Sequence, residues 1–127
     1  MLKLINPSDI AAPASRYSQG VSAPQSARWL HVSGQVGVAP DGRLADGFAA
    51  QMERALLNLL AVLAADGMAV GNLVKITVFI TRAGDVAAYR EIRDRLLGGH
   101  APAATLLVVA GLAHPDYLVE IEGMAAA

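Results

Sequence analysis

Apolar residues recur along this chain in two periods, and each period marks out a kind of element. In ARWLHVS, residues 27–33, they alternate in step two: Leu30 and Val32 fall on one side of a strand, Trp29 and His31 on the other. From Phe48 the period changes. Phe48, Met52, Ala55, Leu56, Leu59, Leu60 and Leu63 form one stripe at helical spacing, which predicts a helix over roughly 46–66. Asp46 is its expected N-cap and Gly67 its expected C′ residue. Leu73 to Ile80, LVKITVFI, returns to period two, with Val74, Ile76, Val78 and Ile80 on a wholly apolar face. The other face, Leu73, Lys75, Thr77 and Phe79, is mixed. A second helix over about 85–97 turns Val86, Tyr89, Ile92 and Leu96 inward and stops at Gly98-Gly99. Strands follow at about 104–110 and 117–122, separated by the turn His114-Pro115-Asp116. Upstream, Leu2 to Ile5 and Tyr17 to Ser22 read as short extended stretches.

The main order, β-β-α-β-α-β-β, contains no repeat and no linker, so residues 1–127 are expected to form a single domain. Two helices laid on one face of a mixed sheet give an α+β sandwich. Nothing in that order covers the opposite face. Composition points the same way: 54% of the residues are hydrophobic and 17% charged, against about a quarter charged in soluble chains generally. Some of the surface is therefore expected to be buried between subunits.

Charge and special residues exclude several functions. Net charge is −1 and lysine occurs only at Lys3 and Lys75, so there is no basic face to neutralise phosphates, and nucleic acid is not an expected partner. The absence of cysteine rules out disulfides, thiolate nucleophiles and Cys-based metal sites. His31, His100 and His114 fit no metal-ligand spacing, and no P-loop, G-x-S-x-G or G-x-G-x-x-G occurs. No metal or cofactor is expected. The opening MLKLINPSDIAAP breaks at Pro7 without a long apolar run, and no stretch of eighteen apolar residues is uninterrupted. A cytoplasmic protein with no membrane span is the corresponding expectation.

Several segments, taken in order, resemble one family. Tyr17-Ser18-Gln19 is similar to a PYSQ segment, Ser33-Gly34-Gln35 to an SGQ segment, and Gln51 with Asn58 to a helical Q-x-x-x-x-x-x-N pattern. Gly67 and Leu73 to Ile80 resemble an "aG…vvKvtvFl" stretch, Pro102-Ala103 begins a PAR(S/T) motif, and Val119-Glu120-Ile121-Glu122 resembles a closing VEIE. Together these segments resemble the Rid (reactive intermediate deaminase, YjgF) family over nearly the whole chain. The resemblance implies a chorismate mutase-like (YjgF) fold and a homotrimer with clefts between adjacent subunits. It also implies hydrolysis of amino-acid-derived enamines and imines to ammonia and a 2-keto acid.

In the family the arginine of PAR(S/T) binds the substrate carboxylate. Here Pro102-Ala103-Ala104-Thr105 places alanine at that position. Loss of such a charge-assisted, bidentate contact costs roughly 2–4 kcal/mol. Arg16, where the family more often has proline, and Arg90, where it often has asparagine, are further departures. The resemblance makes Glu120 the candidate acid–base group for attack of water on a C=N carbon. It places Tyr17, Ser33, Ala104 and Thr105 in the substrate cleft, with Arg16 as a candidate replacement cation. Glu122, on the same strand face as Glu120, reads as structural, and Arg90 with Arg93 reads as a solvated, ion-paired helix surface. The expected function is binding of small metabolites, with hydrolysis of imines or enamines of a non-standard type. A non-catalytic binding or scaffolding trimer is the alternative, and an endoribonuclease comes last.

Overall fold

The computed structural model describes residues 1–127, and two helices cover one face of a four-stranded sheet. The elements are β1 (Lys3–Ile5), β2 (Gly20–Ser22), β3 (Trp29–Val36), α1 (Phe48–Ala65), β4 (Leu73–Ile80), α2 (Val86–Leu97), β5 (Ala103–Val108) and β6 (Val119–Ala126). β1 and β2 form a separate antiparallel ribbon, so the Leu2–Ile5 and Tyr17–Ser22 stretches become one short pair. The main sheet runs β3-β6-β4-β5. Its pairs are antiparallel except β4 with β5, which are parallel and joined across α2.

The helical stripe read from sequence is the stripe that is buried. Phe48, Met52, Ala55, Leu56, Leu59 and Leu63 pack against Ile76, Val78 and Ile80 of β4 and Val119, Ile121 and Ala125 of β6. By length and composition alone α1 is apolar enough to cross a membrane, but its apolar stripe is the one lying on the sheet. Two polar residues in α1 act as brackets. Gln51 is buried; its amide donates to the Asp116 carbonyl (3.1 Å) and its carbonyl accepts from the Leu118 N–H (2.9 Å). Asn58, two turns on, donates to the carbonyls of Val36 (3.2 Å) and Val38 (2.9 Å). The spacing of seven keeps both on one helix face, so the Q-x-x-x-x-x-x-N pattern fastens the segment leaving β3 and the segment entering β6, which lie at the same end of the sheet.

The structure corrects several local expectations. Asp46 does not cap α1: the N-cap is Gly47, at φ 83°, with no side-chain cap hydrogen bond, a backbone shape that aspartate adopts at a cost. Gly67, at φ 71°, does lie just past the C-cap. Met68 N–H donates to the Leu63 carbonyl (2.9 Å) and Gly67 N–H to the Ala64 carbonyl (3.0 Å), a Schellman closure. Leu73 leaves the mixed face of β4 and is fully buried, because the register against β6 shifts between Leu73 and Lys75. β3 continues to Val36, past the expected end at residue 33, through a bulge. Val32 pairs with Gly123 and Gln35 with Ile121, so Ser33 and Gly34 stand opposite the single residue Glu122. β6 begins at Val119 and runs to Ala126, since Tyr117 and Leu118 belong to the turn that Gln51 holds.

The tightest helix–sheet approach is at Gly37, where a Cβ would lie 2.5 Å from the Gln51 Cα. Gly37→Ala is therefore expected to cost about 1–3 kcal/mol by forcing α1 outward. Gly71→Ala, whose Cβ would meet nothing within 4 Å, should be neutral or add up to about 1 kcal/mol. Urea unfolding midpoints of the two variants check the contrast.

Candidate functional site

Two segments far apart in sequence are stitched together at the start of β5. Ser18 is buried; its N–H donates to the Pro102 carbonyl (3.1 Å) and its hydroxyl to the Ala101 carbonyl (2.5 Å). Ser18 also forms an isolated parallel bridge with Ala103. This places Tyr17 against the first residues of an edge strand. A cavity of about 170 Å³ opens there. Ser15 and Tyr17 form one wall, Tyr89, Arg90 and Arg93 of α2 another, and Ala104 and Leu106 of β5 the floor. Ala104 and Leu106 face this way because they pair with Ile76 and Val78, which point toward the helices.

Arg93 overturns the expectation of a solvated helix surface: it is 2% exposed. Its guanidinium carbon sits 5.1 Å from the Tyr89 ring centroid. Nε donates to Asp94 Oδ1 (2.9 Å) and Nη1 to the Tyr89 hydroxyl (3.4 Å). Nη2 also lies 2.9 Å from that carboxylate oxygen, but off the line of its N–H bonds, and it has no hydrogen-bond acceptor. Arg90, three residues earlier, is exposed at the rim. The signal for Arg93 was present in the sequence: Val86, Tyr89, Arg93 and Leu97 step by three, four and four, which puts an arginine in the inward stripe. Ser18 carried no comparable signal.

The cavity gathers Tyr17 and Ala104 of the six residues singled out from sequence. Arg16 is exposed beside it. Ser33, Thr105 and Glu120 belong to the uncovered face of the sheet. Ser33 lines a shallow hollow of about 470 Å³ with His31, Lys75, Thr77 and Glu122. Thr105 accepts a hydrogen bond from Lys75 Nζ (2.7 Å). Glu120 lies over Gly34, where any Cβ would collide with its carboxylate. Counting two strand spacings and three residues along the register, Glu120 is about 14 Å from Ala104 and on the opposite face. The histidines do not converge: His100 hydrogen-bonds the Leu73 carbonyl (2.8 Å), His114 stacks near Tyr117, and His31 lines the open face.

The model of the family described as Endoribonuclease L-PSP matches residues 8–127. The chain is 37% identical over 125 residues to the RutC family protein UK114 of Drosophila melanogaster, covering 97% of this chain and 88% of that one. The chain belongs to the Rid family. It is also 35% identical over 125 residues to the 2-iminobutanoate/2-iminopropanoate deaminase of Rattus norvegicus, with the same two coverages. Among solved structures, the Rid protein YyfB of Yersinia pestis superposes with a TM-score of 0.89 at 29% identity, covering 99% of this chain and 98% of that one. Escherichia coli TdcF with bound serine, also 29% identical and with 98% of both chains covered, superposes at 0.75. The Rid fold is thus shared throughout, while at equal identity the backbone follows YyfB more closely than TdcF.

Burial raises the Tyr89 phenol above its ordinary value of 10.0, and the Arg93 charge beside it offsets part of that rise. The unfolded chain then ionises Tyr89 at lower pH than the folded one. The associated stability is present in full below about pH 10 and is lost as pH climbs through the folded value. Tyr89→Phe should remove that part of the alkaline decline, read as urea midpoints of both proteins between about pH 9 and 11.

Proposed function

We propose that this Rid protein works as a homotrimer that holds a small metabolite in the cavity between Tyr17 and Ala104. In this reading a neighbouring subunit completes the cleft. The observation that carries it is the separation of the candidate residues. Tyr17 and Ala104 share one cavity at the edge strand, while Ser33 and Glu120 belong to the other face of the same chain. A carboxylate about 14 Å away cannot act on a ligand in that cavity unless a second copy brings its own Glu120 to it. The uncovered face and the β5 edge supply the surface for such a contact. Leu107 and Val108 are exposed there, and unpaired strand edges favour association.

Hydrolysis of imines is the chemistry proposed for this cleft, following the deaminases among its relatives, on substrates other than the imines of simple amino acids. Alanine at 104 withholds from the strand side the guanidinium that would hold a substrate carboxylate near the attacking water. A purely binding trimer is the second reading, favoured by the same alanine. Cleavage of RNA has the least support: net charge is −1 and no two histidines stand together for acid–base work.

Sedimentation equilibrium should return about three times the 13.2 kDa chain mass, and a monomer at micromolar concentration would refute the assembly. Imines generated in situ from simple amino acids by an amino-acid oxidase should be hydrolysed slowly. Ala104→Arg is expected to raise kcat/KM on them by one to three decades, about 1.4–4 kcal/mol of transition-state stabilisation. A wild-type rate equal to that of the rat enzyme would refute the argument from Ala104. RNA binding should be weak and should fall with added salt; tight, salt-insensitive binding with cleavage would reinstate the ribonuclease reading.

A further inference from the structure

We infer that Arg93 supplies, from helix α2, a carboxylate anchor for the cavity whose strand side ends in Ala104. The ligand it selects is a small carboxylate with an apolar body. This inference rests on the cleft reading above and adds to it the residue that recognises the ligand and the direction in which the ligand lies.

A guanidinium offers five N–H donors in a plane and stays charged at every accessible pH. Removing it from water is costly unless those donors are matched. Arg93 is 2% exposed, yet its partners within the chain are few: Asp94 Oδ1 takes Nε, and the Tyr89 hydroxyl takes Nη1 at the long distance of 3.4 Å. Nη2 is buried 2.9 Å from the same Asp94 oxygen but makes no hydrogen bond to it, and the residue lines the cavity with Tyr17 and Ala104. A buried donor left open beside a cavity fits an anionic acceptor arriving from outside the chain. A carboxylate suits it, because two oxygens can take Nη2 and a neighbouring N–H together. Arg90 at the rim adds positive charge, and the hydroxyls of Ser15 and Tyr17 line the same cavity.

The floor settles the other end of the ligand. Ala104 and Leu106 present no polar side chain, and alanine leaves open the volume that a longer residue at 104 would fill. A ligand with its carboxylate on α2 therefore lays an apolar substituent across β5. An anchor on the helix and an anchor on the strand place the reacting carbon differently relative to any acid–base group from a neighbouring subunit. This selects larger apolar carboxylates over the shortest ones.

The test uses the intact protein, with 2-oxobutanoate and 4-methyl-2-oxopentanoate as probes and their methyl esters as uncharged controls, in isothermal titration calorimetry. Wild type should bind both acids, the branched one more tightly, and each acid at least tenfold more tightly than its ester. Arg93→Met, which replaces a buried charge with a flexible apolar chain of similar length, should weaken acid binding at least tenfold and leave ester binding unchanged. Arg93→Lys should bind the acids several-fold more weakly than wild type, since an ammonium lacks the planar fork. Arg82→Gln, which removes a distant surface charge paired with Asp85, should bind as wild type does. Adding Ala104→Arg to Arg93→Met should recover acid binding from the strand side. If Arg93→Met does not fold, Arg93→Lys and the side-chain ¹⁵N signal of Arg93 in wild type carry the test; that signal should move with acid and not with ester.

Wild type binding acid and ester equally, or Arg93→Met binding the acids undiminished, overturns the inference and leaves the cleft reading standing. A monomeric Arg93→Met assigns the guanidinium to assembly and likewise overturns the inference. Wild type taking neither acid nor ester at millimolar concentration removes the cleft reading itself.

Discussion

The close seating of α1 on the sheet is the constraint from which the rest follows. It requires a continuous apolar stripe from Phe48 to Leu63, and small residues where the backbones converge. Gly37 meets the Gln51 backbone, and a Cβ at Gly123 would lie 3.1 Å from Leu59 Cδ1 and 3.3 Å from the Lys75 carbonyl. Once the helix is this close, Gln51 and Asn58 reach the segments leaving β3 and entering β6, at one end of the sheet, and hydrogen-bond their backbone groups. α2 then packs beside α1 and returns the chain to β5, parallel to β4. The geometry of the candidate cavity is a consequence: α2 is its wall and β5 its floor.

Electrostatically, the cavity departs from the family's expected arrangement without losing its cation. Alanine at 104 removes a cation from the strand, while an arginine two helical turns along from Val86 is buried on the facing helix. Arg93 is tolerated there by a mixture of weak terms: the face of Tyr89, one carboxylate oxygen of Asp94, and a long contact with the phenol. None of these matches all five donors. A fully matched guanidinium would be a structural rivet; a partly matched one retains a free energy of binding for something else.

The uncovered sheet face has a different character. Ser33, Thr77, Thr105, Glu120 and Glu122 make it polar enough to meet water, while Phe79 and Leu107 keep it apolar enough to meet another surface. Relatives named as deaminases share the fold and much of the sequence, and YyfB shares the backbone more closely than TdcF does at the same identity. Within such a family the fold places the residues, while the chemistry depends on which side chains stand in the cleft.

The elements and their faces can be read from the sequence alone, because the two apolar periods are local properties: the stripe of α1, the inward face of β4 and the glycine stops at Gly67 and Gly98 are all legible residue by residue. The family can be read there too, since motif order is a one-dimensional fact. What the sequence misplaced was whatever depended on a neighbour from elsewhere in the chain. Asp46 looked like a cap until the entry of α1 took a positive φ at Gly47, and Leu73 changed face because β6 slips against β4. Six candidate residues read as one site became two groups on opposite faces, since a strand's alternation assigns sides but not which sides meet. Only the tertiary structure could show that Ser18 pins Tyr17 beside Ala104. The stripe of α2 turns Arg93 inward, but only packing could bury it, because burial of a charge is decided by the elements that close over it, and these come from three distant parts of the chain.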